Sequence, residues 1–276
     1  MSTTQITFPA IPQLPTSATP ATTEARTSGW FWSLGDATLP GPCIRSLLDG
    51  HGAGVPGLQR SLVRLVKTGR DTDLPDGTPL SKLVYGHLLQ ALQEDSHCLT
   101  VDLWGIYPGH TGDTPVLPIL SRYLRQDGPL AEDRYLPHLL MRHTPAVKVA
   151  YARRRGTGVG FTNQANTVHL NPRYRELLKG RRVLILDDFC TQGYSFEWAR
   201  HLLMQAGAAK AICISLGRCG RTYLRQRLVT NRRCDPFSSI SYRDEDFLAD
   251  PVTLAPSYPN LQQFRSDFLS HSAVTH

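Results

Sequence analysis

The sequence predicts an α/β fold with a mainly parallel sheet flanked by helices. Three observations lead there. Val183-Leu184-Ile185-Leu186 is an unbroken run of branched apolar residues, the pattern of a strand buried on both faces, as in a parallel sheet. Ala211-Ile212-Cys213-Ile214-Ser215-Leu216 repeats that pattern downstream. Between the two runs, Phe196, Ala199, Leu202, Leu203 and Ala206 recur at helical spacing and Gly207 follows as a C-terminal stop. Strand, turn, helix and strand make a βαβ unit, whose crossover is right-handed.

From the N-terminus, residues 1–28 are rich in Thr, Pro, Ala and Ser and lack the basic start and apolar centre of a secretory signal. They read as a disordered tail. No apolar run is long enough to span a bilayer, so the expected location is cytoplasmic, with no membrane partner. Trp30, Phe31 and Trp32 mark the start of ordered structure, and the glycines and Pro56 of residues 50–57 mark a loop. Leu58, Leu62, Leu65 and Val66 then share one helical face opposite Arg60, Arg64 and Lys67. After a turn-rich stretch, Leu80, Leu83, Val84, Leu88, Ala91 and Leu92 form a second amphipathic helix. Residues 29–97 thus read as an N-terminal helical region ahead of a core over 98–220.

Within that core, Leu99-Thr100-Val101-Asp102-Leu103-Trp104 reads as the first central strand and runs into a glycine-dense loop, Gly105-Ile106-Tyr107-Pro108-Gly109-His110-Thr111-Gly112-Asp113. Thr114-Pro115 then starts a helix carrying Val116, Leu120, Tyr123 and Leu124. Between Arg142 and Asn166, alternating Val147, Val149 and Tyr151 lead to Arg153-Arg154-Arg155-Gly156-Thr157-Gly158, a hairpin with a basic tip. Asn171-Pro172 is a cap followed by proline at the first helical position, and Gly180 ends that short helix. In the C-terminal extension, 221–276, four prolines (236, 251, 256 and 259) indicate an extended wrap, and Leu261, Phe264 and Phe268 a short closing helix. No internal repeat is present.

The formal net charge of +7 favours anionic partners, either nucleic acid or a polyphosphate sugar. No aromatic-plus-glycine RNA-binding pattern accompanies it. None of the six cysteines forms a Cys-x-x-Cys pair, so a structural zinc site is not expected. Cys98 and Cys213 sit in expected strands as small buried hydrophobes, and Cys190 lies in the key turn as a candidate nucleophile of low weight.

That key turn is Asp187-Asp188-Phe189-Cys190-Thr191-Gln192-Gly193-Tyr194-Ser195. Two carboxylates end the strand, and a turn with Thr, Gly and Ser opens the helix. Ligands of open α/β sheets bind at the carboxyl ends of strands, and helix N-termini bind phosphate through free backbone N–H groups. A diacid on one side and a phosphate nest on the other suit a sugar with vicinal hydroxyls and a terminal phosphate. The plain alternative, an acidic turn capping a helix, needs only one acceptor.

The segment resembles the phosphoribosyl-pyrophosphate (PRPP) motif of the type I phosphoribosyltransferases: an apolar strand, two acids, two variable residues, then Thr-Thr-Gly-x-Thr. The resemblance implies that Asp187 and Asp188 hold the ribose 2′- and 3′-hydroxyls and magnesium, and that Thr191, Gln192, Gly193, Tyr194 and Ser195 wrap the 5′-phosphate. Gln192 replaces the second Thr and Ser195 the last. The loop after the first strand, with Gly109, His110, Thr111 and Gly112, would bind pyrophosphate and its metal, with Asp113 beside it. Arg153, Arg154 and Arg155, with Lys148, would sit on a flexible loop that closes over the substrate. A hood from the N- and C-terminal segments would recognise the base, with Phe189, Tyr194 and Trp104 as stacking candidates. Arg142, Thr144, Gln164 and Asn171 are loosely similar to the ComF-like branch, whose zinc-binding cysteines and Arg-Gly-x-Asn-Gln loop are missing here. The implied activity is Mg2+-dependent transfer of ribose 5-phosphate from PRPP to a nitrogen acceptor, possible in a homodimer. The alternatives are a PRPP- or nucleotide-binding regulatory module and a nucleic-acid-binding competence or phage-conflict protein.

Overall fold

A computed structural model describes residues 30, 32–35, 43–50, 57–112, 117–127, 130–147, 159–229, 235–253 and 264–270. Its centre is a five-stranded sheet in the order β1 (Trp32–Leu34), β2 (Cys43–Asp49), β7 (Lys210–Arg218), β6 (Arg182–Cys190), β3 (Leu103–Ile106). All neighbours are parallel except β1, which pairs antiparallel with β2 at one edge. The chain is therefore α/β with a mostly parallel sheet.

Side chains alternate across a strand, and the alternation builds two cores. Leu184, Leu186, Ile212 and Ile214 face a helical layer made of α1 (Leu58–Thr68), α2 (Leu80–Glu94), α3 (Ser96–Leu99) and α4 (Pro118–Asp127), meeting Leu62, Leu65, Leu88, Leu120 and Leu124. Val183, Ile185, Ala211 and Cys213 face the other way, onto Phe196, Ala199 and Leu203 of α6 (Tyr194–Gln205). On that second side lie a small antiparallel pair, β4 (Leu140–Arg142) with β5 (Val168–Leu170), and the short helix α5 (Thr162–Ala165). Another antiparallel pair, β8 (Thr222–Leu228) with β9 (Phe247–Thr253), follows in the C-terminal extension.

Several elements differ from expectation. Strand β6 continues through the diacid to Cys190, because Asp187, Phe189 and Cys190 still pair with Ser215, Gly217 and Arg218 of β7. The first central strand starts at Leu103 rather than Leu99. The amides of Cys98 and Leu99 both donate to the Asp95 carbonyl, winding one helical turn before the sheet, so Cys98 is a buried helical residue. Strand β2 was not expected at all, and it places residues 43–49 inside the sheet rather than in a separate N-terminal layer. Its polar centre hides it: Arg45 is 1 % exposed, its Nε 2.9 Å from Asp95, and Ser46 Oγ lies 2.6 Å from Ser215 Oγ. Proline 251 belongs to β9, opposite Leu224, at an edge where its missing N–H costs no ladder bond to a further strand.

Other expectations match. Both amphipathic helices form, with Leu58, Leu62, Leu65 and Val66 of α1 buried. Asn171 accepts from the amide of Arg173 and opens a 3-10 turn, Pro172–Tyr174. Residues 264–270 are helical and dock on α2, with Phe264 buried and Asp267 3.0 Å from His87. The hairpin expected between Arg142 and Asn166 is not seen where that stretch is described: 143–147 carry no strand and 162–165 are helix α5, so the antiparallel pair β4 and β5 flanks the stretch instead of forming its arms. Val149, Tyr151 and the expected basic tip, with Lys148, Arg153, Arg154 and Arg155, lie outside the described residues, as do Asp113 and residues 114–116, where a helix start was expected. Among the described residues, no helix is long and apolar enough to cross a membrane.

Candidate functional site

The turn from β6 into α6 is shaped by glycine. Gly193 has φ +84°, and a Cβ there would stand 2.1 Å from the ring of Tyr223. Both the left-handed backbone and the lack of space exclude a side chain. One residue earlier, the Gln192 carbonyl accepts from the Leu224 amide at 2.9 Å, which ties the turn to β8. Helix α6 then starts at Tyr194 with no side-chain hydrogen bond at its N-cap, and first-turn amides have no intrahelical acceptor. Thr191, Gln192, Gly193, Tyr194 and Ser195 line a recess of about 60 Å³ together with Asp187, Gln164 and Cys190. That is on the order of two water volumes, room for one tetrahedral oxyanion.

The two acids of the motif do not point the same way. Being neighbours on a strand, they project to opposite faces. Asp187, 8 % exposed, lines the recess on the α6 side. Asp188 is turned to the α1 side, where Oδ2 accepts from the ammonium of Lys67 and Oδ1 from the Phe189 amide. Burial is the main reason that the Asp187 carboxyl is pushed up to about 8, and the charge of Asp188 adds to it. Lys67, the Asp188 amide and Arg142 oppose that rise.

The glycine-dense loop is anchored beside this strand. The Tyr107 amide donates to the Leu186 carbonyl at 2.9 Å, and Arg142 reaches in from β4. Arg142 Nε donates to the Gly109 carbonyl at 2.6 Å, and its other nitrogens donate to Thr167 Oγ1 and, at 2.9 Å, to Gln164 Oε1. The Tyr107 hydroxyl donates to the same Gln164 oxygen at 3.0 Å. Gly112 has φ +84°, and a Cβ there would meet the Arg142 carbonyl at 3.0 Å. The His110 carbonyl accepts from the Ala146 amide. Gly109, His110, Thr111 and Gly112 are therefore near the diacid strand but do not line the recess; Gln164 is the link between them.

Cys190 is not an activated nucleophile. Its thiol is buried and pushed up to about 11 by that burial, although Arg218 donates to its sulfur at 2.7 Å. Trp104 is a fully buried core residue, its ring tilted against Tyr135 at 4.5 Å, and offers no face to a ligand, whereas Phe189, half-buried, packs over Gly217 and also lines the recess. Tyr194 is half-buried at the recess, 5.8 Å from the ring of Phe161.

Sequence reasoning missed three contributors. Lys67 was read only as part of a polar helix face. Tyr223 packs on Gly193, and its hydroxyl donates to Glu197 Oε1 at 2.7 Å. Glu197, fully buried, also accepts from the Gln226 amide and from Arg200, which locks α6 to β8. A lone Glu between Phe196 and Trp198 carries no pattern that signals such a role; alternation around Tyr223 was the one available cue to β8.

For magnesium, the donor set is the pair Asp187 and Asp188; among the described residues no group of three or more His, Cys, Asp or Glu converges. Magnesium is commonly held by one or two carboxylates, with water and substrate phosphates completing the shell. Asp187 is the one carboxylate of the pair that lines the oxyanion-sized recess, and a single carboxylate beside that recess fits this mode; Asp188 offers its carboxylate on the other face of the strand. In comparisons with known proteins, no family model and no curated protein matches the chain.

Proposed function

We propose that this chain is a phosphoribosyltransferase that takes PRPP with Mg2+, transfers ribose 5-phosphate to a nitrogen acceptor and releases pyrophosphate. One observation carries the reading: Asp187 and the 191–195 turn meet in a single recess at the carboxyl end of a central parallel strand and the N-terminus of α6. The parallel order β2, β7, β6, β3 supports a type I phosphoribosyltransferase-like core, and α1, α2 and the β8–β9 pair are the candidates for its hood.

In this reading the amides and hydroxyls of 191–195 bind the 5′-phosphate, and the ionised Asp187 accepts from a ribose hydroxyl. Its negative charge also favours the positive charge that builds at the anomeric carbon as pyrophosphate departs. The Gly109–Gly112 backbone, steadied by Arg142, faces the leaving group. Asp187 or Asp188 would hold the magnesium ion, which would supply charge neutralisation for the diphosphate when bound. Pyrophosphate release from PRPP in the presence of a panel of purine and pyrimidine bases tests the transfer step; no release with any base, despite PRPP binding, removes it.

A second reading, a PRPP-binding regulatory module, is favoured by Lys67 standing on Asp188 and by Gln192 in the phosphate turn. It predicts PRPP binding without consumption. The same assay separates the two.

A further inference from the structure

Lys67 sits in the last turn of α1, where Gly69 ends the helix in a left-handed conformation and donates to the Leu65 carbonyl. The C-terminal end of a helix favours a cation. From there the ammonium donates to Asp188 Oδ2 and lies 5.8 Å from the centre of the Phe189 ring. The lysine side chain is 52 % exposed, whereas that of Asp188 is 11 % exposed. A flexible, half-solvated cation therefore closes the open side of a nearly buried carboxylate. It arrives from the face of the sheet opposite the recess that Asp187 lines.

We propose that Lys67 is a tethered counter-ion of the diacid: it occupies Asp188 while the site is empty and is displaced when a divalent cation takes the same carboxylate. The two cations compete because both need Oδ2 of Asp188. Displacement is inexpensive, since a half-exposed ion pair is only weakly stabilising and the ammonium regains water on its flexible stem. Once released, it remains within a side chain's length of Asp188 and adds positive charge next to any polyphosphate that a metal at Asp188 holds. The assignment rests on the phosphoribosyl reading only for the identity of that polyphosphate; the competition at Asp188 follows from the contact itself. Lys67 thus sets how tightly the empty protein takes up a divalent ion.

The test is calorimetric titration of the full chain with MgCl2 alone, then with PRPP in the presence of Mg2+, for the wild type, Lys67→Met and Lys67→Arg. Methionine keeps the apolar stem and removes the charge. Lys67→Met is expected to bind Mg2+ roughly three- to five-fold more tightly than the wild type, and to bind PRPP more weakly, while Lys67→Arg stays close to the wild type in both. Equal Mg2+ affinity of wild type and Lys67→Met, or no Mg2+ binding by either, overturns the proposal. A gain in Mg2+ affinity with no PRPP binding by any variant keeps Lys67 as counter-ion and removes the phosphoribosyl reading. PRPP binding with unchanged Mg2+ affinity does the reverse.

Discussion

Two loops meet at the carboxyl end of the sheet, and they are held in different ways. The 191–195 turn is fixed by shape: Gly193 has no room for a side chain under Tyr223, and the Gln192 carbonyl is bonded to β8. The Gly109–Gly112 loop is held by polar contacts, foremost Arg142, whose guanidinium ties a loop carbonyl to Gln164 and Thr167, with the Ala146 amide on the His110 carbonyl beside it. Steric fixation tolerates no substitution at the glycine. Fixation through polar contacts leaves the loop foldable when the arginine is lost but lets it wander. The difference suits a turn that grips one unchanging phosphate and a loop that faces a departing group.

The largest expected effect breaks the first kind of fixation. Gly193→Ala introduces a left-handed alanine and a collision with the Tyr223 ring, and it is expected to cost about 2–4 kcal/mol of stability in urea unfolding. Tyr223→Ala removes the ring but empties a buried site and frees Glu197, so the recovery is read from a double-mutant cycle: Gly193→Ala is expected to cost less in the Tyr223→Ala background than in the wild type. No recovery would mean that backbone strain alone dictates the glycine.

Arg142→Met breaks the second kind. Its removal is expected to cost about 1–2 kcal/mol in stability, less than Gly193→Ala, because the loop amides and carbonyls it frees can turn to water. Binding of pyrophosphate is expected to weaken while binding of ribose 5-phosphate, which lacks the diphosphate, stays near the wild type. An equal loss for both ligands would place Arg142 in general scaffolding.

A further effect sharpens the contrast through pH. The carboxyl of Asp187 titrates near 8 in the folded chain, above its ordinary value, because burial disfavours the charge. A group raised in this way contributes stability below its unfolded value, and that contribution is lost as pH rises toward 8. Asp187→Asn is therefore expected to be more stable than the wild type at pH 8–9, with the difference fading toward pH 4. Ligand binding that needs the ionised carboxylate runs the opposite way in the wild type and strengthens as pH rises through about 8. Thermal unfolding and ligand titration across that range check both signs.

The same contrast explains what was legible in the sequence. The βαβ unit with its turn is local: consecutive apolar runs, a glycine and the helix repeat encode it within about one βαβ length, and it was read with its helix limits nearly intact. Strand β2 was not, since Arg45 and Ser46 interrupt its apolar run, and their partners, Asp95 and Ser215, are remote in sequence. The opposite facing of Asp187 and Asp188 follows from strand periodicity, but only once the strand is known to run on to Cys190. Lys67 lies on a solvent-side helical stripe, and nothing in its neighbours points to a carboxylate more than a hundred residues away.

The most direct test of the central claim is calorimetric titration with PRPP, with and without Mg2+, of the wild type and the double variant Asp187→Asn with Asp188→Asn. The account predicts magnesium-dependent binding by the wild type and its loss in the double variant. Binding of equal strength in both, or no binding by the wild type with or without magnesium, would contradict it.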